Sequence, residues 1–190
     1  MKMLPKFDKQ QVPVHYDRRT IMLHWLTAAL VILVWLCGHF IDAFPKGLPR
    51  WNMRGVHMLI GIILGAVVFY RLWWRISSAD RLPALGNTWV QLSSRAMHIG
   101  LYALLIAEVL LGLFNAWVRG EHVFNLFVLP AFDPGNKSLR ADIGELHVLV
   151  ANLILIAAAF HAAAGLFHHY VLRDGVLLRM FAFRSRKTPL

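Results

Sequence analysis

The sequence has one cysteine, Cys37, among 190 residues, and it lies inside an apolar run. A lone cysteine forms no intramolecular disulfide and supplies no thiolate cluster for zinc or iron–sulfur chemistry. Acidic residues are few, 10 against 20 Lys and Arg. Polar residues are scarce as well: 58% of the chain is hydrophobic, above the about 45–50% usual for soluble domains. These shortages exclude an ordinary soluble domain, and the length suits one compact membrane domain. A cleavable signal peptide is not expected, because mostly polar residues fill positions 1–19 and the apolar run that follows is long enough to span.

What the chain does have is four long apolar runs, at about 20–41, 53–76, 90–118 and 143–172. Each meets the about 20 residues that a spanning helix requires. FPKGLP (Phe44 to Pro49) breaks the chain after the first run, Pro83 and Gly86 mark a loop after the second, and PAFDPGN (Pro130 to Asn136) excludes a continuous helix before the fourth. The expected architecture is all-α: a four-transmembrane-helix bundle over residues 20–172, with an N-terminal segment at 1–19 and a basic tail at 173–190. Charge sets its orientation. Fourteen Lys and Arg fall in the N-terminal segment, the stretch from Arg71 to Arg95 and the tail, and six in the other two connections. The positive-inside rule then places both termini in the cytoplasm. Topology and attraction to anionic lipid account for the basic balance, so nucleic acid is not needed as a partner.

Inside this frame the histidines stand out. ELHVLVANLILIAAAFHAAAG (Glu145 to Gly165) carries His147 and His161 fourteen residues apart. At about 100° per residue, fourteen steps return to within about 40° of the starting face, and at about 1.5 Å per residue they cover roughly 21 Å. One helix thus presents two imidazoles on one face, one towards each side of a hydrocarbon core about 30 Å thick. Ionisable groups at membrane depth are functional candidates by default. The topology puts His24 on the cytoplasmic side with His161, and His57 on the outer side with His147. Two such pairs can supply both axial nitrogens to each of two haem irons, which makes electron transfer the expected function. A haem-free metal or proton carrier is the alternative that requires no cofactor.

Other positions fit around these pairs. Gly38, fourteen residues after His24, lets a flat macrocycle approach the first helix; packing between helices explains it equally well, and better explains Gly61 and Gly65. Arg71, fourteen residues after His57, and Arg54, one turn before it, are candidate partners for haem propionates, or interfacial arginines. His98 sits at the depth of His24 and His161 and can replace either as a ligand; spacing leaves this open. Glu108 is the one carboxylate deep in a run, suited to proton transfer or to a hydrogen bond with a neighbouring helix. His15 and His122 fall in loops, and His39, His168 and His169 near helix ends. Trp25, Trp51, Trp73, Trp74, Trp89 and Trp117 near run ends form interfacial belts.

The stretches LHW (Leu23 to Trp25), FPKG (Phe44 to Gly47), VHMLIG (Val56 to Gly61), MHIGLY (Met97 to Tyr102), ELH (Glu145 to His147) and FHAAAGLFHHYVLRDGVLLRM (Phe160 to Met180) resemble the bacterial cytochrome b561 family of inner-membrane di-haem cytochromes. The likeness runs from about Tyr16 to Met180. It implies His24, His57, His147 and His161 as haem ligands and leaves His98 out. It also implies an activity, superoxide oxidation at the outer side coupled to ubiquinone reduction. In that case Lys46, Arg50, Arg54, Lys137 and Arg140 at the outer mouth would attract the superoxide anion, although Asp42, Asp133, Asp142 and Glu145 make that face mixed in charge. Related cytochromes instead relay electrons between a partner dehydrogenase or hydrogenase and the quinone pool.

Overall fold

The computed structural model describes residues 15–78, 82–83, 86–124 and 126–181. Among these residues four helices are long and apolar enough to cross a membrane. They are α1 (Arg18–Phe40), α2 (Leu48–Ser77), α3 (Thr88–Arg119) and α4 (Lys137–Phe167). Side-chain caps start three of them: Asp17 accepts from the Thr20 amide, Asn87 from Val90 and Asn136 from Leu139. Each of these bonds satisfies one of the amide donors that the first helical turn leaves over. Two helices begin earlier than their apolar runs. The cap at Asn136 draws polar residues 137–142 into α4, and α2 opens at Leu48 with Pro49 in its first turn, where the missing N–H costs nothing. Gly120, with φ +64°, closes α3 in the left-handed conformation that glycine adopts without strain.

The helices form an antiparallel bundle in which α1 packs on α2, α2 on α3 and α3 on α4. Its interior is thin. Leu64, Val68, Leu105, Val150 and Ile154 form the buried cluster, flanked by Leu30, Val31 and Val34. Gly65 lets α3 approach, since a Cβ there would stand 3.0 Å from Val109, whereas a Cβ on Gly61 would meet nothing. Large apolar side chains such as Ile99 (69% exposed) and Phe160 (66%) point outward. In a chain this apolar, that surface is the one facing lipid.

The two ends are closed differently. At the end holding the α1–α2 and α3–α4 connections (the loop end), β1 (His122–Val123) and β2 (Phe127–Val128) pair as an antiparallel hairpin. The hairpin folds against the start of α2. Arg54 bonds Glu121 at 3.0 Å, Trp51 stacks on His122 with ring planes 6° apart, and the Phe124 ring fills the space beside Gly55. At the opposite end (the terminal end), α4 runs on as a π-helical turn (His168–Leu172) and the chain returns across the bundle. Tyr16 donates its amide to the Arg179 carbonyl, Trp25 Nε1–H to the Met180 carbonyl, and Arg179 its guanidinium to the Pro83 carbonyl. This C-terminal strap ties α1, the α2–α3 connection and α4 together.

Candidate functional site: two histidine clusters

The histidines gather at two depths. At the loop end, the rings of His57 (α2) and His147 (α4) stand 6.1 Å apart, nearly perpendicular at 88°. At the terminal end, His24 (α1) and His161 (α4) are also 6.1 Å apart, at 64°. Four imidazoles from three helices thus face each other in two pairs, and α4 contributes one to each. His98 (α3) joins the terminal cluster, with its ring 5.2 Å from that of His161, closer than His24. The terminal cluster therefore holds three histidines and the loop-end cluster two.

Tautomers follow from the partners. His57 Nδ1 lies 3.0 Å from the Val34 carbonyl. A carbonyl only accepts, so Nδ1 carries the proton and Nε2 keeps its lone pair for a metal. His98 Nδ1 bonds the Ser94 carbonyl in the same way, at 2.6 Å. His24 is the opposite case: its Nδ1 lies 3.0 Å from an Arg71 guanidinium nitrogen, which only donates, so there Nδ1 accepts and Nε2 carries the proton; ligation through Nε2 would require Arg71 to turn away and the proton to move to Nδ1. Arg71 also lies over the Tyr102 ring, 5.4 Å from its centroid. His147 Nδ1 is 3.0 Å from the Glu108 carboxyl oxygen Oε1 but off the line of the ring N–H, and it makes no aligned hydrogen bond.

Two glycines flank the loop-end pair. A Cβ on Gly38 would come within 3.0 Å of the His57 ring, and one on Gly112 within 3.2 Å of His147. Gly38 thus sits beside the loop-end pair, at the depth its spacing predicts. Gly112 was not singled out in the sequence, although its place one turn beyond Glu108 on the same helix face was a usable signal.

The arrangement fits b-type haem. Half-buried imidazoles come in facing pairs, His57 presents a free Nε2, His147 keeps a buried nitrogen without an aligned partner among the described residues, and bare glycine backbone lies against both loop-end rings. A bare metal ion fits less well, because no group of three or more His, Cys, Asp or Glu among the described residues is placed to hold one.

Of the five cations expected at the outer mouth, two are engaged. Arg50 pairs with Asp42 at 3.1 Å and also bonds the Phe44 carbonyl, and Arg54 pairs with Glu121. Lys46 and Lys137 are exposed and Arg140 is half-buried, and no ion pair to these three occurs among the described residues. Glu108, expected to serve a proton path or a neighbouring helix, lies against a histidine of α4.

A four-helix membrane bundle whose half-buried histidines face one another in depth-matched pairs has the architecture of a membrane cytochrome b. The family model for prokaryotic cytochrome b561 matches residues 15–182, and the chain belongs to that family. It is 32% identical to cytochrome b561 homolog 1 of Escherichia coli strain K12, over 90% of this chain and 98% of that protein. It is 30% identical to the probable superoxide oxidase CybB of Yersinia pestis, over 87% of this chain and 94% of that one. The cytochrome b562 of Cereibacter sphaeroides is also 30% identical, with the same coverage. This chain is accordingly a multi-pass bacterial membrane protein that carries b-type haem and transfers electrons.

Proposed function

We propose that this chain is a di-haem superoxide oxidase of the bacterial inner membrane, taking electrons from superoxide at the loop end and reducing ubiquinone. The observation that carries the reading is the presence of two facing histidine pairs at opposite ends of one bundle. His57 and His147 hold one haem b and His24 and His161 the other. Haem held at such sites would supply reversible one-electron chemistry, and ligation by two imidazoles would leave dioxygen no place to bind. The positive-inside rule puts the terminal end in the cytoplasm and the loop end outside.

Each residue has a task in this reading. His57, locked by the Val34 carbonyl, keeps Nε2 free to ligate. Gly38 and Gly112 make room for a flat ring. Arg71 supplies a cation beside the terminal pair, where haem propionates would find a bidentate partner. Arg54 is engaged with Glu121, so it anchors the hairpin more than it serves a propionate. Lys46, Lys137 and Arg140 remain to draw an anion toward the loop end. In balance, two superoxide anions give up one electron each and leave as dioxygen, while ubiquinone gains two electrons and two protons. The printed name of the Yersinia relative supports superoxide as the substrate.

Stopped-flow mixing of the oxidised pure protein with superoxide tests this: the haem spectrum should become reduced faster than superoxide dismutates unaided, and no such reduction sinks the reading. A second reading is an electron relay between a partner dehydrogenase or hydrogenase and the quinone pool. It is favoured by the cancelled charges of Arg50 and Arg54, which leave the loop end mixed in sign for a docked protein. The same mixing experiment separates the two.

A further inference from the structure

Glu108 is a carboxyl group in the middle of an apolar helix, with its side chain only 15% exposed. Burial of that kind is costly without a partner. Among the described residues its Oε2 has no hydrogen-bond partner, and neither has the Nδ1 of His147, which is 18% exposed, although Oε1 and Nδ1 stand 3.0 Å apart. The two groups are unmet in complementary ways: a neutral imidazole that ligates through Nε2 carries its proton on Nδ1, and a carboxyl oxygen accepts it. A modest turn of the ring about its second side-chain torsion, a soft sp³–sp² rotation, aligns them. Leaving both unpaired costs each group the hydrogen bond it would make in water. Gly112, one turn further along α3, leaves the space in which the ring can turn.

The other buried histidines have different neighbours. His57 has a neutral backbone acceptor, His98 another, and His24 faces the guanidinium of Arg71. Arg119, a cation near His147, is held by the Asn115 side chain and the Arg140 carbonyl.

We infer that Glu108 is the positioning residue of the loop-end site: its carboxyl accepts the Nδ1–H of His147, fixes Nε2 as the ligating nitrogen, and keeps the loop-end haem the lower in potential of the two. A ligating histidine that donates its second N–H to an acceptor becomes more basic, and a more basic axial ligand favours the oxidised iron. The inference rests on the di-haem reading above.

The test is a potentiometric titration of the purified haem-loaded protein, followed in the visible spectrum. E108L should raise the lower midpoint potential by about one tenfold step in the reduction equilibrium, about 59 mV for one electron, and leave the higher one in place. E108Q, which keeps an acceptor oxygen, should move it less. If E108L fails to retain the loop-end haem, E108D serves in its place, because its shorter side chain breaks the 3.0 Å contact while keeping the carboxyl. Two bound haems with an unmoved lower potential in E108L or its substitute would overturn the role of Glu108 alone. Fewer than two haems in the unmodified protein would overturn the di-haem reading and this inference with it.

Discussion

The two histidine clusters have the same ring separation, 6.1 Å, and opposite surroundings. At the loop end His147 meets a carboxyl, two glycines press their backbone against the rings, and two histidines are present. At the terminal end His24 meets a guanidinium and a third histidine crowds in. Repeating one facing histidine pair at two depths of the bundle therefore does not make two equal clusters. Their difference comes from α3 and α2, through Glu108, Gly112, His98 and Arg71, whose side chains meet the histidines or their neighbours.

The largest way to break this comparison is to remove a ligand. H161A or H24A should leave one haem per chain instead of two, and H98A should leave both, as measured by haem extraction against protein mass. Loss of a haem in H98A, with both kept in H24A, would reassign the terminal site to the closer ring. Next comes space. A side chain at Gly112 or Gly38 drives into His147 or His57, so G112V and G38L should deplete the loop-end haem and spare the terminal one. Charge is the third lever. R71L removes the cation 3.0 Å from His24 and should lower the higher midpoint potential by roughly a tenfold step, about 59 mV, opposite in sign to the change at Glu108.

The smallest expected effect concerns the strap. His168 Nδ1 bonds the Asp174 carboxylate, which also accepts from the Val176 amide. Partial burial pushes the Asp174 carboxyl up, but these bonds together outweigh it and hold the group below the usual aspartate value. A carboxyl depressed in the folded chain adds stability that is fully present above its ordinary value near 3.8 and is lost as pH falls below that toward the depressed value. Acidification through that range should therefore loosen the strap. The indole of Trp25, bonded to the Met180 carbonyl, reports this by fluorescence, and D174N should abolish the transition.

Much of the site was legible in the sequence because it obeys one period. Fourteen residues return a helix to nearly the same face, so His147 with His161, and Gly38 beyond His24, could be assigned depth and side from spacing alone. What could not be read is rotation between helices. Nothing in the sequence turns α3 so that Glu108 and Gly112 face His147 while His98 faces His161. The same missing information hid the partners of the loop-end arginines: Glu121 lies in a connection whose short hairpin leaves almost no pattern, yet it takes Arg54. Gly61 and Gly65 form a plausible packing pair in sequence, and only Gly65 meets a neighbour. The Asn136 cap and Pro49 in a first helical turn, both outside the apolar runs, explain why α4 and α2 begin before their hydrophobic stretches do.

The placement of a carboxyl acceptor beside one histidine and a cation beside another has a consequence for direction. On the di-haem reading, a carboxyl at the loop end and a guanidinium at the terminal end slope the electrical landscape along the bundle, so that an electron is better accommodated beside Arg71 than beside Glu108. The protein would then behave as a rectifier, passing charge readily from the loop end inward and resisting its return. That bias would be built into two side chains of α2 and α3 and would persist whichever donor is at the entrance.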